Sequence, residues 1–558
     1  MMKFYITLLL SFILFSAFAQ APTDYFITKW DLSKTGTDNT SIVFEVNTSG
    51  NVNYSWETIP AGTSGTGIIS GTTAAITGLP ANATVRLYID PTNFKSLAFY
   101  DGVSYHYSDN VKLMDVEQWG TTSWETMSYA FIGCENLNIT AVDVPNLSGM
   151  SNMTNMFNDC RSLNGPPNIN LWDTSTITNM YGLFFHAESF NQPISNWNTA
   201  NVTVMSSMFS NATLFNQPIG NWNTRNVIDM IETFNYAISF NQQLDNWNTS
   251  NVHSMSSMFS YAQSFNQPIG NWNVSNVRVM INMFAYATSF NQALDIWNVS
   301  NVVAMHSMFA RATSFNQSIN NWNVSNVTSM LGMFLQATSF NQPLNNWNVA
   351  NVNLMSSMFS SATSFNQPLN NWNVANVNQM NVMFSGATAF NQNIGNWNLN
   401  PNVTMINMLN NSGMDCNNYT DTIIGWSNNT NTPNGRSLGA VGMDYGMNAL
   451  PNRNILTVDK GWTVIGDSQL TGNCGTLAVE DFSQNKFEIY PNPADDFIVV
   501  NTEENGTGTI FNSLGQTIKS VNLEEVNTTI DLSGLPTGVY TLQMKSNGKN
   551  YCKKIIKK

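Results

Sequence analysis

Few residues of this chain are of a type that could carry out chemistry. The histidines are His106, His186, His253 and His306. A zinc site or a nucleophile triad needs such side chains held together with carboxylates, thiolates or a hydroxyl. The last three fall in different copies of a repeat and share no position within it, and His106 between Tyr105 and Tyr107 reads as a surface residue. Asp229 and Glu232 stand close in sequence, but the pair occurs in one copy only and no second pair faces it, so carboxylate-driven glycoside hydrolysis is not supported. Walker, dinucleotide, EF-hand and CxxC signatures are absent. The sequence thus predicts no catalytic residue, no cofactor-binding residue and no metal site. Met205, Met208, Met255, Met258, Met330 and Met333 could form a soft-metal or greasy surface, but their helix-like spacing beside Phe and Val assigns them to the core.

Composition narrows the class further. Only 10% of the 558 residues are charged, against roughly 25% in an ordinary soluble protein. The net charge of -14 repels nucleic acid and anionic membranes. Lys3, the apolar run Ile6 to Phe18 and Ala17-Phe18-Ala19 predict a signal peptide over residues 1–19. That run is shorter than the ~20 residues of a membrane span, so an exported mature chain without a transmembrane segment is expected. Cys134 and Cys160 occupy equivalent places in successive copies and read as small-residue packing or as a bridge between turns. Cys416 and Cys474 are a second possible pair, and Cys552 is left over.

The elements that must position everything else come from a repeat. Trp172, Trp197, Trp222 and their successors to Trp397 recur every 25 residues, and an aromatic follows each by 12, from Phe184 to Phe384. Shifted copies begin at Trp119, so about twelve units are expected between residues 117 and 420. Within a unit, Met330, Met333, Phe334 and Ala337 predict a short helix capped by Asn326, and Trp347-Asn-Val349 a short strand. A unit this small cannot bury its own apolar face and must stack on its neighbours, giving an α+β solenoid.

Two repeated polar features admit two readings each. The Asn-Gln pairs from Asn191-Gln192 to Asn391-Gln392, and the Asn after each Trp, are either a ligand ladder or amides bonded to the next turn and to turn backbone; the second is favoured because tight turns favour Asn. The column Thr288, Thr313, Thr338, Thr363 and Thr388 would suit ice or crystal surfaces, but Ile238 and Gln263 interrupt it. Residues 20–116 alternate like a β-sandwich head. Residues 421–477, with Gly425-Trp426 and Lys460-Gly-Trp, read as a distal cap and linker. Residues 478–558 form a second small β-sandwich.

The unit Ser325 to Val349, SNVTSMLGMFLQATSFNQPLNNWNV, resembles the BspA-like leucine-rich-repeat surface proteins, with Met, Phe and Trp in place of most leucines. FITKWDLS, SWETIP and GLPANATVRLYI resemble the N-terminal region of members from Bacteroidetes. The tail, with IYPNPADD, FNSLGQ and LPTGVYTLQMKSNGKNYCKKIIKK, resembles the type A C-terminal sorting domain of type IX secretion. The resemblance implies a right-handed leucine-rich-repeat-like solenoid between two small β-sandwich-like domains, on a protein that is secreted or attached to the outer surface. It implies passage through the type IX machinery by way of residues 478–558. The expected function is that of a non-enzymatic adhesin or scaffold presenting an Asn/Ser/Thr face to an extracellular protein or glycan, with a structural spacer lacking a specific ligand as the alternative.

Overall fold

Alternation of apolar and polar residues makes the first strands two-faced, and they pair into two sheets around shared aromatic rings. The strands are β1 (Phe26–Asp31), β2 (Ile42–Thr48), β3 (Val52–Ile59), β4 (Ser64–Ile69), β5 (Thr73–Ile76), β6 (Thr84–Ile89), β7 (Phe94–Ala98), β8 (Leu113–Gln118) and the two-residue β9 (Asn138–Ile139). One sheet has the order β4-β3-β6-β1-β8-β9 and the other β5-β2-β7. Phe26 stacks on Phe94 at 5.8 Å and Trp30 on Phe44 at 5.7 Å, joining the sheets. The computed structural model describes residues 23–100, 109–474 and 487–558, apart from residues 503, 525, 547 and 548. The expected signal peptide and His106 lie outside the described residues.

The head also buries one ion pair. Lys112 Nζ lies 2.6 Å from Asp109 Oδ1, and both side chains are fully buried. The ammonium donates its other bonds to the carbonyls of Asp38 and Ser41. Asp109 accepts from the backbone N–H groups of Thr37 and Val43. Both charged groups therefore have several partners each, the condition under which a buried charge is tolerated.

The head passes into the repeats without a break. β8 pairs with β9 in parallel, and one apolar core runs from Phe26 through every copy to Trp462. From there single parallel bridges take over: Ser254↔Val279, Val279↔Ala304, Ala304↔Ser329 and Ser329↔Leu354, each linking residues 25 apart.

The helix predicted in each unit is not formed; among the described residues no helix lies between Trp172 and Asp415. The N–H groups of Met333, Leu335 and Ala337 close reverse turns onto Met330, Gly332 and Phe334, whereas those of Met330, Gly332, Phe334 and Gln336 bond to Leu354, Ser356, Met358 and Ser360 of the next copy. A helix would point every one of these donors along its own axis. Gly332 and Gln336 have φ of 58° and 56°, and left-handed residues stop right-handed helix propagation. The apolar 3-3-1-3 spacing thus marks consecutive turns, and the fold is mostly β with few helices rather than an α+β alternation. Trp347–Val349 is likewise no strand: Trp347 N–H closes a turn onto Leu344, and strand-like pairing falls at the bridge residues.

Past the last copy, α1 (Cys416–Asn428) is N-capped by Asp415, whose carboxylate accepts from Asn418 N–H at 2.9 Å. β10 (Ser437–Gly439) pairs in parallel with β11 (Thr463–Ile465), and Met405↔Leu438 carries the ladder onto β10. Asp467 locks this end: Arg453 donates two bonds of 2.7 Å to its carboxylate, and Tyr419 donates a third. Burial pushes the Tyr419 phenol well above its ordinary range, with the Asp467 charge adding to the effect.

The described chain forms two units, up to Thr471 and from Gly472. The second has two sheets. One contains strands Phe487–Tyr490, Phe497–Thr502 and Val526–Asp531; the other contains Gly506–Phe511, Thr517–Leu523, Gly538–Ser546 and Lys549–Lys557. Ile498, Val500, Ile510, Leu542 and Met544 fill its own core. Cys416 is disulfide-bonded, whereas Cys134, Cys160 and Cys552 are free. Cys134 and Cys160 are buried, with their thiols pushed well above the ordinary range by desolvation, so packing and not a bridge explains that pair.

Candidate binding surface

The repeat lines up each residue type in a column along the array. Phe309, Phe334 and Phe359 stack at 5.8 and 5.5 Å with planes 5° and 7° apart. Each such pair contributes about 0.5–1.5 kcal/mol beyond burial. The Trp column is buried too, and it is bonded as well as packed: Trp322 Nε1 donates to Leu294 O at 2.9 Å and Trp347 Nε1 to Ile319 O at 3.0 Å. The methionines at 205, 208, 255, 258, 330 and 333 are all fully buried, which takes them out of any metal or ligand role on the surface.

The amide columns also turn inward on the protein itself. Asn316 Oδ1 accepts from Asn341 N–H at 2.9 Å and from Gln342 Nε2 at 3.0 Å, and the pattern repeats from Asn191 to Asn391. The Asn after each Trp caps a turn instead, as when Asn323 Oδ1 accepts from Ser325 N–H. Asn326 does not cap a helix: its Nδ2 donates to Ser300 O of the preceding copy at 2.7 Å. The Thr hydroxyls behave alike, Thr313 donating to Thr288 O and Thr363 to Thr338 O. Asn316→Ala is therefore expected to lower the stability of the array by about 1–3 kcal/mol, the cost of two donors left without their acceptor. Asn316→Asp, which keeps an acceptor oxygen, should cost less. Denaturant titration followed by circular dichroism distinguishes the two, and equal losses would contradict the ladder.

The candidate catalytic types remain apart. His186 Nδ1 lies 3.1 Å from Asp159 Oδ1, while His253 and His306 sit in other columns; burial holds the His306 imidazole below its ordinary range. Asp229 accepts from Ile231 N–H within its own turn, and Glu232 accepts from the Ser207 hydroxyl of the preceding copy, so the two carboxylates serve separate structural bonds. Among the described residues no group of three His, Cys, Asp or Glu could hold a metal.

One surface column escaped the sequence reading. Asp159, His186, Asn211, Tyr236, Tyr261, Tyr286 and Arg311 are equivalent left-handed positions, with φ between 55° and 60°. Tyr236, Tyr261 and Tyr286 stack at 4.0 Å, and the Arg311 guanidinium lies 4.8 Å over the Tyr286 ring. Bulky side chains in this conformation cost roughly 1 kcal/mol each. The available signal was three tyrosines spaced by 25 residues, followed by an arginine at the same spacing. At its other end Asp159 borders a cleft of about 580 Å³ against the head, lined also by Thr37, Asn110, Glu135 and Arg161.

This geometry defines a repeat protein whose copies are held in register by buried rings and self-bonded amides, leaving half-exposed polar and aromatic columns outside. Residues 125–247, 214–322 and 314–422 match, in tandem, the family described as Mycoplasma protein of unknown function, DUF285. These matches together span more than half of the chain, and the chain belongs to that family. Residues 488–558 match a secretion system C-terminal sorting domain. The chain is thus a repeat protein sorted through type IX secretion, and it is exported to be secreted or attached to the cell surface. Comparison with curated proteins gives no match. Among the described residues no helix is long and apolar enough to cross a membrane.

Proposed function

We propose that the copies wind as a right-handed solenoid akin to those of BspA-like surface proteins, and that this surface protein is a non-enzymatic adhesin or binding scaffold for an extracellular protein or glycan. The observation that carries the reading is the half-exposed Tyr236–Tyr261–Tyr286–Arg311 column: Tyr and Arg dominate binding hot spots, and here they occupy backbone positions that disfavour them. The parallel bridges at 25-residue steps support the winding. A long array also adds many weak contacts into useful avidity. The test is binding of the mature chain to arrays of extracellular matrix proteins and glycans, beside a Tyr261→Ala variant. Binding that weakens at least tenfold in the variant is expected; absence of binding to both arrays would leave the spacer reading as the better one.

A further inference from the structure

The same column carries a symmetry that its repeat origin does not require. Seven successive rows of it run from the acidic Asp159 to the cationic Arg311, with Tyr236 in the middle of the seven. Arg311 makes a cation–π contact with Tyr286, and Asp159 is 40% exposed. A second chain laid antiparallel on this ridge, with a two-fold axis through Tyr236, would set Arg311 opposite Asp159, Tyr286 opposite His186, Tyr261 opposite Asn211 and Tyr236 opposite itself. The flanking column, two residues further on in each copy, obeys the same operation. Arg161 meets Thr313, Glu188 meets Thr288, Thr213 meets Gln263, and Ile238 meets its own copy. Tyr236 and Ile238, each 37% exposed, put the apolar contact on the axis itself.

We propose that this ridge is a homophilic contact through which two copies of the chain associate antiparallel. A two-fold contact must be self-complementary, residue for residue. Here both columns satisfy that condition without opposing like charges. Beyond Arg311 the ridge shrinks to Gln336, Ser361 and Gly386, the rows that a partner's head would overlie. One group opposes association: Glu232, in the central row on the far side of Tyr236, would face its own copy. The dimer is therefore weak and reversible. At physiological ionic strength the general repulsion between two acidic chains is screened beyond about 8 Å, which leaves these local pairs to decide. The proposal goes beyond the binding role above and needs no foreign ligand.

Sedimentation velocity of the mature full chain over a concentration series tests it. A monomer–dimer equilibrium is expected. Arg311→Asp alone and Asp159→Arg alone should each weaken it at least ~10-fold, since each sets like charges face to face. An equimolar mixture of these two variants should recover a heterodimer, because positions 159 and 311 then face opposite charges at both ends of the contact. Glu232→Gln should tighten the wild-type dimer. The column already holds Asp at φ 58° and Arg at φ 59°, so the exchanges ask nothing new of the backbone, and unchanged melting confirms folding. A chain that stays monomeric throughout overturns the proposal. A dimer indifferent to both charge reversals, or single variants that do not complement on mixing, also overturns it.

Discussion

Asp109→Ala is expected to destabilise the head by about 3–5 kcal/mol, the cost of breaking a buried ion pair by removing one partner. The carboxylate neutralises Lys112 at 2.6 Å and accepts the backbone N–H groups of Thr37 and Val43 at 2.8 and 2.6 Å. Without it a fully buried ammonium is left with only two carbonyl acceptors, from Asp38 and Ser41. Lys112→Met should cost less, because the remaining carboxylate keeps its two N–H donors. The double variant Asp109→Ala, Lys112→Met should be more stable than Asp109→Ala alone, since it removes the stranded charge. Calorimetric melting of the full chain, with limited proteolysis reporting on residues 23–118, checks the order. A double variant no better than Asp109→Ala would show that the backbone bonds, not the charge, hold this corner.

The head illustrates where reading from sequence stops. Its alternating strands were legible because burial on one face leaves a period of two in residues such as Val85, Leu87 and Ile89. Lys112 was not, because nothing in its sequence neighbourhood distinguishes an ammonium that folds inward onto Asp109 from one in water. In the repeats the columns of Trp, Phe and Asn were legible from their spacing alone. The local conformation was misread, since Met330, Met333, Phe334 and Ala337 satisfy a helix and a run of reverse turns equally well. The deciding residues are the left-handed ones. Gly332, with Asn282 and Asn407 at equivalent positions, marks where a helix cannot continue. Tyr236, Tyr261 and Tyr286 occupy the second left-handed column and hid that signal, because tyrosine there is contrary to backbone preference.

The Trp column yields the other large effect. Trp322 is 2% exposed, stacks on Trp297 at 6.3 Å with planes 6° apart, and donates to Leu294 O of the preceding copy. Trp322→Ala should cost about 3–5 kcal/mol, the range for emptying a large aromatic site in a core. Since each copy touches only its neighbours, a defect in mid-array weakens one interface and leaves the rest intact. Guanidinium unfolding of the variant is therefore expected to separate into two transitions, one for the copies on each side. Trp322→Phe keeps most of the packing and loses the indole bond, worth about 1 kcal/mol. Trp172 provides the control: it is equally buried, but its Nε1 has no acceptor; the preceding unit is two residues longer, with Pro145 where a Trp would stand, and the carbonyl of Val142, which corresponds to Leu294, accepts from Asn168 Nδ2 instead. Trp172→Phe removes an unpartnered N–H and should cost less than Trp322→Phe. If both Phe variants lose the same stability, the indole bonds are incidental and packing alone holds the stack; if Trp322→Ala still unfolds in one step at an unchanged midpoint, the copies do not depend on their neighbours.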